Sequence, residues 1–519
     1  MDWPIDRERL LSADRGVPRY ELIAKAIEGA IIAGRLRTDE RLPTVRQLAE
    51  QLGVSGTTVS AAYHLLSEKD WIRSAVGRGT FVTGPRIGGS FVTGSNAWEA
   101  GSPGPPTLNG ERVRETRQTF SAAPWRRRAL MSSASRLRAA YPKVVDCSTG
   151  RPDPTLLPLE LLQTAWKETA ESTRHADLQY AGPEAVDSLR QALLPRLALD
   201  RVAAENEDLV VASSAQELMV LTLEVISALS GHSQITIAVE NPGYPTIFDT
   251  FERAGYRLIG IDVDAFGAVP ASLDAAVQRG ATAVLLTPRA HNPTGASWSV
   301  ERAADLAQVL AEHRGVVAIE DDHFAGITTT RAGSLLGDRR IEERVVYIRS
   351  FSKSIAPDLR IAVAVARPRL RTLLSEAKSF ADGWTSRAIQ RTLALVLGDS
   401  RLDELLSTAA RAYAERRTIA AKELHNALAP FGGSTWSGTD GVNIWVHLPP
   451  GTDSFHVIEK AGSLGVLIAP GEPFFIRPGR GDVLRINVGA VGPEQAGEVG
   501  RLVGQAAMTQ TATVHAIPV

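Results

Sequence analysis

The chain has 519 residues, more than one hydrophobic core can organise, so at least two domains are expected. Its 57 basic and 58 acidic residues nearly cancel, which excludes a polyelectrolyte, and its one cysteine excludes an intrachain disulfide. The start of the chain lacks the pattern of a signal peptide, and no uncharged apolar run approaches the roughly 20 residues that span a bilayer. These features predict a soluble protein of the cytoplasm.

The first segment, residues 1–84, has the pattern of a helix-turn-helix followed by a hairpin. Apolar spacing and turn residues predict three helices and then two strands, at 20–33, 45–52, 57–69, 71–76 and 79–82. Gly53 ends the second helix, and Ser55 is a plausible N-cap for the third. In such an arrangement the helix after the tight turn reads the major groove of DNA.

The third predicted helix carries polar side chains that could reach phosphates or base edges, namely Thr57, Thr58, Ser60 and Tyr63. The alternative is a small helical packing module without DNA contacts. The runs 41–55 and 77–82, however, closely resemble the winged-helix domain of GntR-type transcriptional regulators. That resemblance implies binding of double-stranded operator DNA through the residues at matched positions, Arg46, Ser55, Thr57, Ser60, Gly77 and Arg78. Many members carry arginine where this chain has Gly56, so one charged contact is missing.

Residues 85–142 are rich in glycine and proline and are predicted to be a linker. They contain nine arginines, three glutamates and no lysine, a net charge of +6. A flexible basic tether would add phosphate contacts to the DNA-binding domain. Alternatively, the run Arg126–Arg128 begins a helix that packs on the next domain.

From residue 143 to the end, the chain alternates strands and helices. Buried strands are predicted at 144–147, 209–212, 234–240, 283–287, 316–320 and 345–348. Repeated strand–loop–helix units predict a doubly wound α/β sheet, with its site at the carboxyl ends of the strands.

The loops after these strands carry the groups that one pyridoxal phosphate (PLP) ring needs. Lys353, in a turn of small residues after a strand, offers an amine to an aldehyde cofactor. The turn at 213–216 opens a helix and can cradle a phosphate, which Ser350 and Arg360 are also suited to hold. Each loop could by itself be a turn, a helix cap or a core ring, but together they form a consistent set.

In this order, the set resembles the fold type I PLP enzymes, the aspartate aminotransferase fold with a smaller C-terminal α+β subdomain. With the GntR-type domain ahead of it, the whole chain resembles the MocR family of transcriptional regulators. The resemblance implies that Lys353 forms the internal aldimine, Asp321 pairs with the pyridine nitrogen, and Asn292 donates to the phenolic oxygen. It also implies that Tyr244 stacks on the ring and that Arg485 binds a substrate carboxylate. Tyr180 is expected to reach in from the partner subunit of a homodimer. The phosphate is expected to rest on Ser214, Ala215, Ser350 and Arg360.

Two positions depart from the family pattern. His323 stands where most relatives have a tyrosine that donates to the phenolic oxygen, and an imidazole titrates near neutrality. Asp358 stands where glycine is usual and lies close in sequence to Arg360, so it is expected to weaken the phosphate anchor slightly.

The sequence therefore predicts a DNA-binding regulator that senses PLP, or an amine or amino acid, through aldimine formation. The rival is a PLP-dependent aminotransferase that has kept a regulatory head, and a third reading is a PLP-free dimerisation scaffold. The intact helix-turn-helix and wing favour the regulator, because an enzyme alone does not need them.

Overall fold

The computed structural model describes residues 19–32, 36, 40–68, 71–75, 79–82, 125–232, 234–330 and 333–515. The chain divides into two compact units, residues 1–115 and residues 116–519. Within the described ranges, no helix has both the length and the apolar character that crossing a bilayer requires.

The smaller unit contains three helices and a two-stranded hairpin. They are α1 (Arg19–Ile32), α2 (Val45–Leu52), α3 (Gly56–Glu68), β1 (Ile72–Ala75) and β2 (Gly79–Val82). The strands are antiparallel, with Ile72 opposite Val82. Ile27, Leu48 and Val59 of the three helices are fully buried in one core. Each element lies within one residue of its predicted bounds.

Local capping fixes the turn between α2 and α3. Thr44 and Gln47 form a capping box at the start of α2, in which the Thr44 hydroxyl accepts from the backbone N–H of Gln47 at 3.3 Å. Gly53 ends the helix in the left-handed conformation, with φ 66°, which a residue with a Cβ adopts only at a cost. Ser55 then accepts from the Thr58 amide at 3.2 Å, as predicted for a cap of the third helix.

The larger unit is built on a seven-stranded sheet. Its strands are β4 (Leu209–Ala212), β5 (Thr236–Glu240), β6 (Arg257–Ile261), β9 (Ala283–Leu286), β10 (Val317–Asp322), β11 (Val345–Ser350) and β12 (Ala362–Ala366), and their order is β4-β12-β11-β10-β9-β5-β6. In this sheet β12 runs in the direction opposite to the other six strands, which are parallel to one another. The sequence did not predict β6 or β12, and β10 and β11 each extend two residues beyond their predicted ends.

Helices cover both faces of this sheet, as a doubly wound fold requires. The helices of the larger unit are α4 (Trp125–Ala140), α5 (Leu159–Ser172), α6 (Asp187–Leu199), α7 (Ala215–Ser230), α8 (Pro245–Arg253), α9 (Pro270–Gln278), α10 (Val300–Glu312), α11 (Pro368–Ala381), α12 (Arg387–Gly398), α13 (Leu402–Leu428), α14 (Ser454–Ser463) and α15 (Pro493–His515). Alternate strand residues enter two separate cores: Val345 and Tyr347 lie in one, and Val346 and Ile348 lie in the other. Because both faces are buried, the strands are continuous apolar runs.

A smaller subdomain follows at the C-terminus. Its antiparallel sheet has the order β13-β14-β17-β16, formed by Ser434–Trp436, Asn443–His447, Val483–Asn487 and Ala469–Pro470. Two short pairs complete the strands of this unit, β3 (Val145–Asp146) with β15 (Val466–Leu467) and β7 (Val263–Asp264) with β8 (Gly267–Ala268). A third core lies between this sheet and helices α13, α14 and α15.

Most of the predicted linker lies outside the described residues, which resume at residue 125. From there α4 packs on the rest of the larger unit through Arg126, whose side chain is fully buried. Its guanidinium contacts Asp249 at 2.9 Å and Glu252 at 2.7 Å, and it also donates to the Phe475 carbonyl oxygen at 3.0 Å. Of the two alternatives for the arginine run, the structure shows the packed helix.

Candidate functional site

The carboxyl ends of β4, β5, β9, β10 and β11 meet at one edge of the large sheet. They border a cavity of about 650 Å³, which is also lined by α4 and by the smaller subdomain. Ten of the residues predicted to bind a cofactor or effector line this cavity, namely Ser214, Ala215, Tyr244, Asn292, Asp321, His323, Ser350, Lys353, Arg360 and Arg485. The topology of parallel strands explains this convergence, since equivalent loops follow equivalent strand ends.

Lys353 lies in the turn that follows β11. Its Nζ donates a hydrogen bond to the carbonyl oxygen of Gly150 at 2.6 Å. Burial, assisted by the charge of Arg485, lowers the pKa of Lys353 to about 8. A substantial fraction of the amine is therefore neutral slightly above neutral pH, and the neutral amine is the form that attacks a carbonyl.

Asp321 stands near the end of β10 and faces the cavity, whereas its neighbour Asp322 points to the opposite face of the sheet. Asp322 accepts from the Tyr347 hydroxyl at 2.6 Å and pairs with Arg289 at 2.9 Å. The Asp321 Oδ1 atom is buried and has no hydrogen-bond partner among the described residues. Burial raises the pKa of Asp321. The cavity thus contains a carboxylate oxygen that is available to a donor.

His323 also faces the cavity, with Nδ1 3.6 Å from Oδ2 of Asp321. Burial lowers the pKa of His323 despite the nearby Asp321 carboxylate, and the charge of Lys353 lowers it further. The imidazole is therefore neutral around pH 7, and one of its nitrogens can donate while the other accepts.

The start of α7 provides a site for an anion. Ser214 caps this helix and accepts from the Glu217 amide at 3.1 Å, and Ala215 is the first helical residue. The carboxylate of Glu217 pairs with the buried Lys378 at 2.8 Å. Lys378 also pairs with Asp382, so it offsets only part of that negative charge, and a phosphate is favoured there by the backbone N–H groups and the positive dipole end of the helix.

Ser350 and Arg360 approach the same region from the lysine turn. Ser350 is buried and accepts from the Ser352 amide at 3.3 Å. Arg360 has a left-handed backbone with φ 50° and ψ 58°, a strained conformation for a residue with a Cβ, and such strain concentrates at functional sites. No ion pair joins Asp358 to Arg360, although both are described residues.

Arg485 on β17 is a buried cation, only 4% exposed. Its guanidinium donates to the Asn443 side-chain oxygen at 3.3 Å and to the Ser148 carbonyl, and it lies 5.3 Å from the ring centre of Phe474. Burial lowers its pKa to about 10. No carboxylate within the described ranges pairs with it, whereas Arg126 has two such partners. An uncompensated buried charge is costly, so Arg485 is well suited to bind an external carboxylate.

Sequence reasoning missed the polar residues that support Arg485. Asn443 donates to the Asn292 oxygen at 3.3 Å and accepts from Asn487 at 2.8 Å. The spacing of Arg485 and Asn487 would have placed both on one face of a strand. Asn443 had no such signal, because it enters the site through pairing between β14 and β17.

Tyr180 does not line this cavity. Its side chain is 89% exposed and meets Trp384 edge to face, with ring centres 5.6 Å apart. The prediction that it reaches a partner subunit remains a prediction.

In the smaller unit, four predicted DNA-binding residues are exposed: Arg46, Ser55, Thr57 and Ser60. We call these four residues the reading face. The expectation for Tyr63 was wrong, because its ring is only 6% exposed and its hydroxyl donates to the Pro43 carbonyl at 2.7 Å. Gly77 and Arg78 lie outside the described residues.

Comparison with known proteins agrees with this division. Residues 19–82 match the bacterial regulatory proteins of the gntR family, and residues 144–500 match aminotransferase class I and II. The vitamin B6 salvage pathway transcriptional repressor PtsJ of Salmonella typhimurium is 29% identical over 452 residues, 87% of this chain and 90% of that protein. The probable rhizopine catabolism regulatory protein MocR of Rhizobium meliloti is 26% identical, over 79% of this chain and 78% of that protein.

The chain belongs to the MocR-type GntR family. Its larger unit also shares its fold with LysN, the alpha-aminoadipate aminotransferase of Thermus thermophilus, which was solved with N-(5'-phosphopyridoxyl)-L-leucine. That match has a TM-score of 0.63 and 24% identity, and it covers 74% of this chain and 98% of the other.

Membership of this MocR-type family indicates PLP as the cofactor, and the cavity fits it. The unpartnered Asp321 oxygen suits a protonated pyridine nitrogen, and the start of α7 suits the phosphate. Lys353 supplies the amine, with a pKa lowered to about 8. When bound, PLP supplies an aldehyde that condenses with primary amines and a ring that withdraws electrons from the attached group.

Proposed function

We propose that this chain is a DNA-binding transcriptional regulator whose larger unit holds PLP and responds to PLP itself or to an amine or amino acid. The observation that carries the proposal is the pairing of two features in one chain: an exposed polar reading face and a cavity with an amine, a free carboxylate oxygen and an unpaired guanidinium. PLP alone requires no winged helix, and DNA binding alone requires no such cavity.

In this proposal each predicted cofactor-binding residue that lines the cavity has a defined role. Lys353 holds the cofactor covalently, Asp321 accepts from the pyridine nitrogen, and Tyr244 stacks on the ring. Asn292 and His323 donate to the phenolic oxygen, and the neutral state of His323 at pH 7 leaves one N–H for that purpose. The phosphate rests on Ser214, Ala215, Ser350 and Arg360.

Arg485 is assigned to the carboxylate of an amino-acid effector. It lies beside Lys353, because both donate to carbonyls of the short segment 148–150. An amino acid whose amine replaces Lys353 on the cofactor would therefore have its carboxylate within reach of the guanidinium. A planar guanidinium binds a carboxylate through two parallel hydrogen bonds, which also fixes the orientation of the effector.

We also propose a homodimer that acts in the cytoplasm, where chromosomal DNA is accessible. Tyr180 is expected to complete the site of the partner subunit, because its ring is exposed and lies outside the cavity of its own subunit. Light scattering should give a mass near twice 55.7 kDa. A monomer that still binds PLP tightly would contradict this part of the proposal. Dimeric binding predicts paired half-sites in the operator.

The test measures operator affinity by fluorescence anisotropy, with and without PLP and a panel of amines. A ligand shifts a conformational equilibrium only through different affinities for the two states, and coupling free energies of about 1–3 kcal/mol correspond to roughly 5–150-fold in affinity. We expect a change of that size for the wild type. Lys353→Ala should still bind DNA, but its affinity should no longer respond to the amine.

The rival function, an aminotransferase with a regulatory head, predicts the opposite result. It would give repeated turnover, with keto acid well beyond one equivalent per site, while the DNA-binding curves superimpose with and without PLP. That combination would refute the sensor proposal.

A further inference from the structure

The cavity wall contains two arginines to which the proposed function gives no role. Five cationic side chains line it, and Asp321 is the one carboxylate among the described lining residues; the cations are Arg138, Arg151, Lys353, Arg360 and Arg485. The proposed function uses three of them: Arg360 for the phosphate, Lys353 for the aldehyde and Arg485 for the α-carboxylate. Arg138 and Arg151 remain.

These two arginines differ in their partners. Arg138, on α4, is paired with the carboxylate of Asp146, whose other oxygen accepts from the Ser148 amide at 2.9 Å. The side chain of Arg151 is exposed, and it has no hydrogen-bond or ion-pair partner within the ranges that the structure describes. Arg151 is therefore the cation of the cavity wall that is most available to an additional anion.

The position of Arg151 places it close to the reacting groups. The segment 148–151 forms one wall of the cavity: its Ser148 carbonyl accepts from Arg485, and its Gly150 carbonyl accepts from Lys353 at 2.6 Å. A Cβ on Gly150 would lie 3.6 Å from Nη1 of Arg485. Arg151 is the next residue, with its Cα about 3.8 Å from that of Gly150.

We propose, on the basis of the proposed function, that the effector is an amino acid with a second acidic group in its side chain. Its α-carboxylate binds Arg485, and its side-chain acid binds Arg151. Guanidinium groups bind carboxylates in a geometry that an amide cannot match, because an amide has one oxygen and no charge. An uncharged side chain offers Arg151 no opposite charge.

The experiment compares each acidic amino acid with its amide, a pair of nearly identical shape. The full-length chain loaded with PLP is titrated with L-glutamate and L-glutamine, and then with L-aspartate and L-asparagine. Binding is read from the visible spectrum of the cofactor and, independently, from the thermal unfolding midpoint. A charge-assisted hydrogen bond predicts that at least one acid binds about tenfold or more tightly than its amide.

Two variants assign that preference to Arg151. Arg151→Gln should remove most of it while leaving the affinity for glutamine unchanged, which also shows that the variant is folded. Arg151→Lys keeps the charge but not the planar fork and should retain part of the preference. The control is Arg411→Gln, an exposed arginine on α13 outside the cavity that donates only to Thr408, and it should behave as the wild type.

The outcomes distinguish a failure of this inference from a failure of the proposed function. If amides change the spectrum as strongly as the acids, or if Arg151→Gln keeps the full preference, the acidic effector is refuted and amino-acid sensing stands. If PLP binds but no amino acid changes either readout, the assignment of an amino-acid effector fails, and this inference fails with it.

Discussion

The reading face of the smaller unit and the cavity of the larger unit both consist of polar side chains, but water reaches them differently. Arg46, Thr57 and Ser60 are exposed, whereas Lys353 and Arg485 are partly or fully buried. An exposed group acts through interactions that water and salt weaken. A buried group has lost its hydration, so its protonation and its partners control its behaviour. Variants in the two regions should therefore fail in different ways.

The largest effect is expected for Lys353→Ala. Removal of the amine eliminates the covalent attachment of PLP, so the visible absorbance of the bound cofactor should disappear after dialysis, while the wild type keeps it. The reading face is unaltered, and operator affinity in the absence of PLP should stay within about twofold of the wild type, the size of a typical surface effect. Retention of the band after dialysis would show that another lysine holds the cofactor.

Arg126→Met tests a buried cation whose partners are carboxylates of the protein itself. It leaves Asp249 buried without its cation, and loss of one member of such a pair costs about 3–5 kcal/mol. Urea unfolding of the larger unit should show a destabilisation of that order. Arg136→Met on the same helix removes a surface pair with Glu459 and should cost at most about 1 kcal/mol. Equal effects would mean that burial does not distinguish these arginines.

The pH dependence of cofactor attachment tests the electrostatic link between Arg485 and Lys353. The neutral amine reacts, so the initial rate of PLP attachment should rise with pH and level off above a midpoint near the lowered pKa of about 8. Arg485→Met removes a positive charge that favours the neutral amine, so the midpoint should move to higher pH. Stopped-flow absorbance gives the profile, and a midpoint that stays constant or falls would exclude this coupling.

Arg46→Ala should act on DNA alone. Loss of one exposed contact is expected to weaken operator binding by about 1–3 kcal/mol if Arg46 contacts a base, and the same variant should reduce the salt slope if it contacts a phosphate. The PLP spectrum should be unchanged. Glu50→Ala, an exposed residue of the same helix, is a control for the stability of α2. A loss of PLP binding in Arg46→Ala would show that the two regions are not independent in this respect.

The smallest effect is expected for Gly56→Arg. Gly56 begins α3 and is exposed, and a Cβ there would meet only the Val45 side chain, at 3.9 Å. An arginine therefore fits without strain and restores the charge that many relatives carry. One added phosphate contact should steepen the slope of log K for DNA binding against log salt concentration by about 0.9. Gly56→Gln is the uncharged control, and its slope should equal that of the wild type.

The sequence was sufficient to predict the helices and strands of the smaller unit to within one residue and the strand–loop–helix order of the larger one. Apolar periodicity and caps such as Thr44 and Gly53 are local signals, and they act within a few residues. Ten cofactor and effector residues could also be named, because the motifs that contain them resemble those of the fold type I PLP enzymes. Tyr63 was misassigned because periodicity alone did not reveal that its hydroxyl reaches the Pro43 carbonyl.

Tertiary structure alone decided the features that depend on residues distant in sequence. It placed Asn443 between Asn292 and Arg485, paired Lys378 with Glu217, and buried Arg126 against a helix more than a hundred residues away. It also left Arg485 without a carboxylate among the described residues. Ion pairs form and side chains become buried only when distant parts of the chain come together. The charge of a residue therefore does not indicate, from the sequence alone, which distant side chain will compensate it.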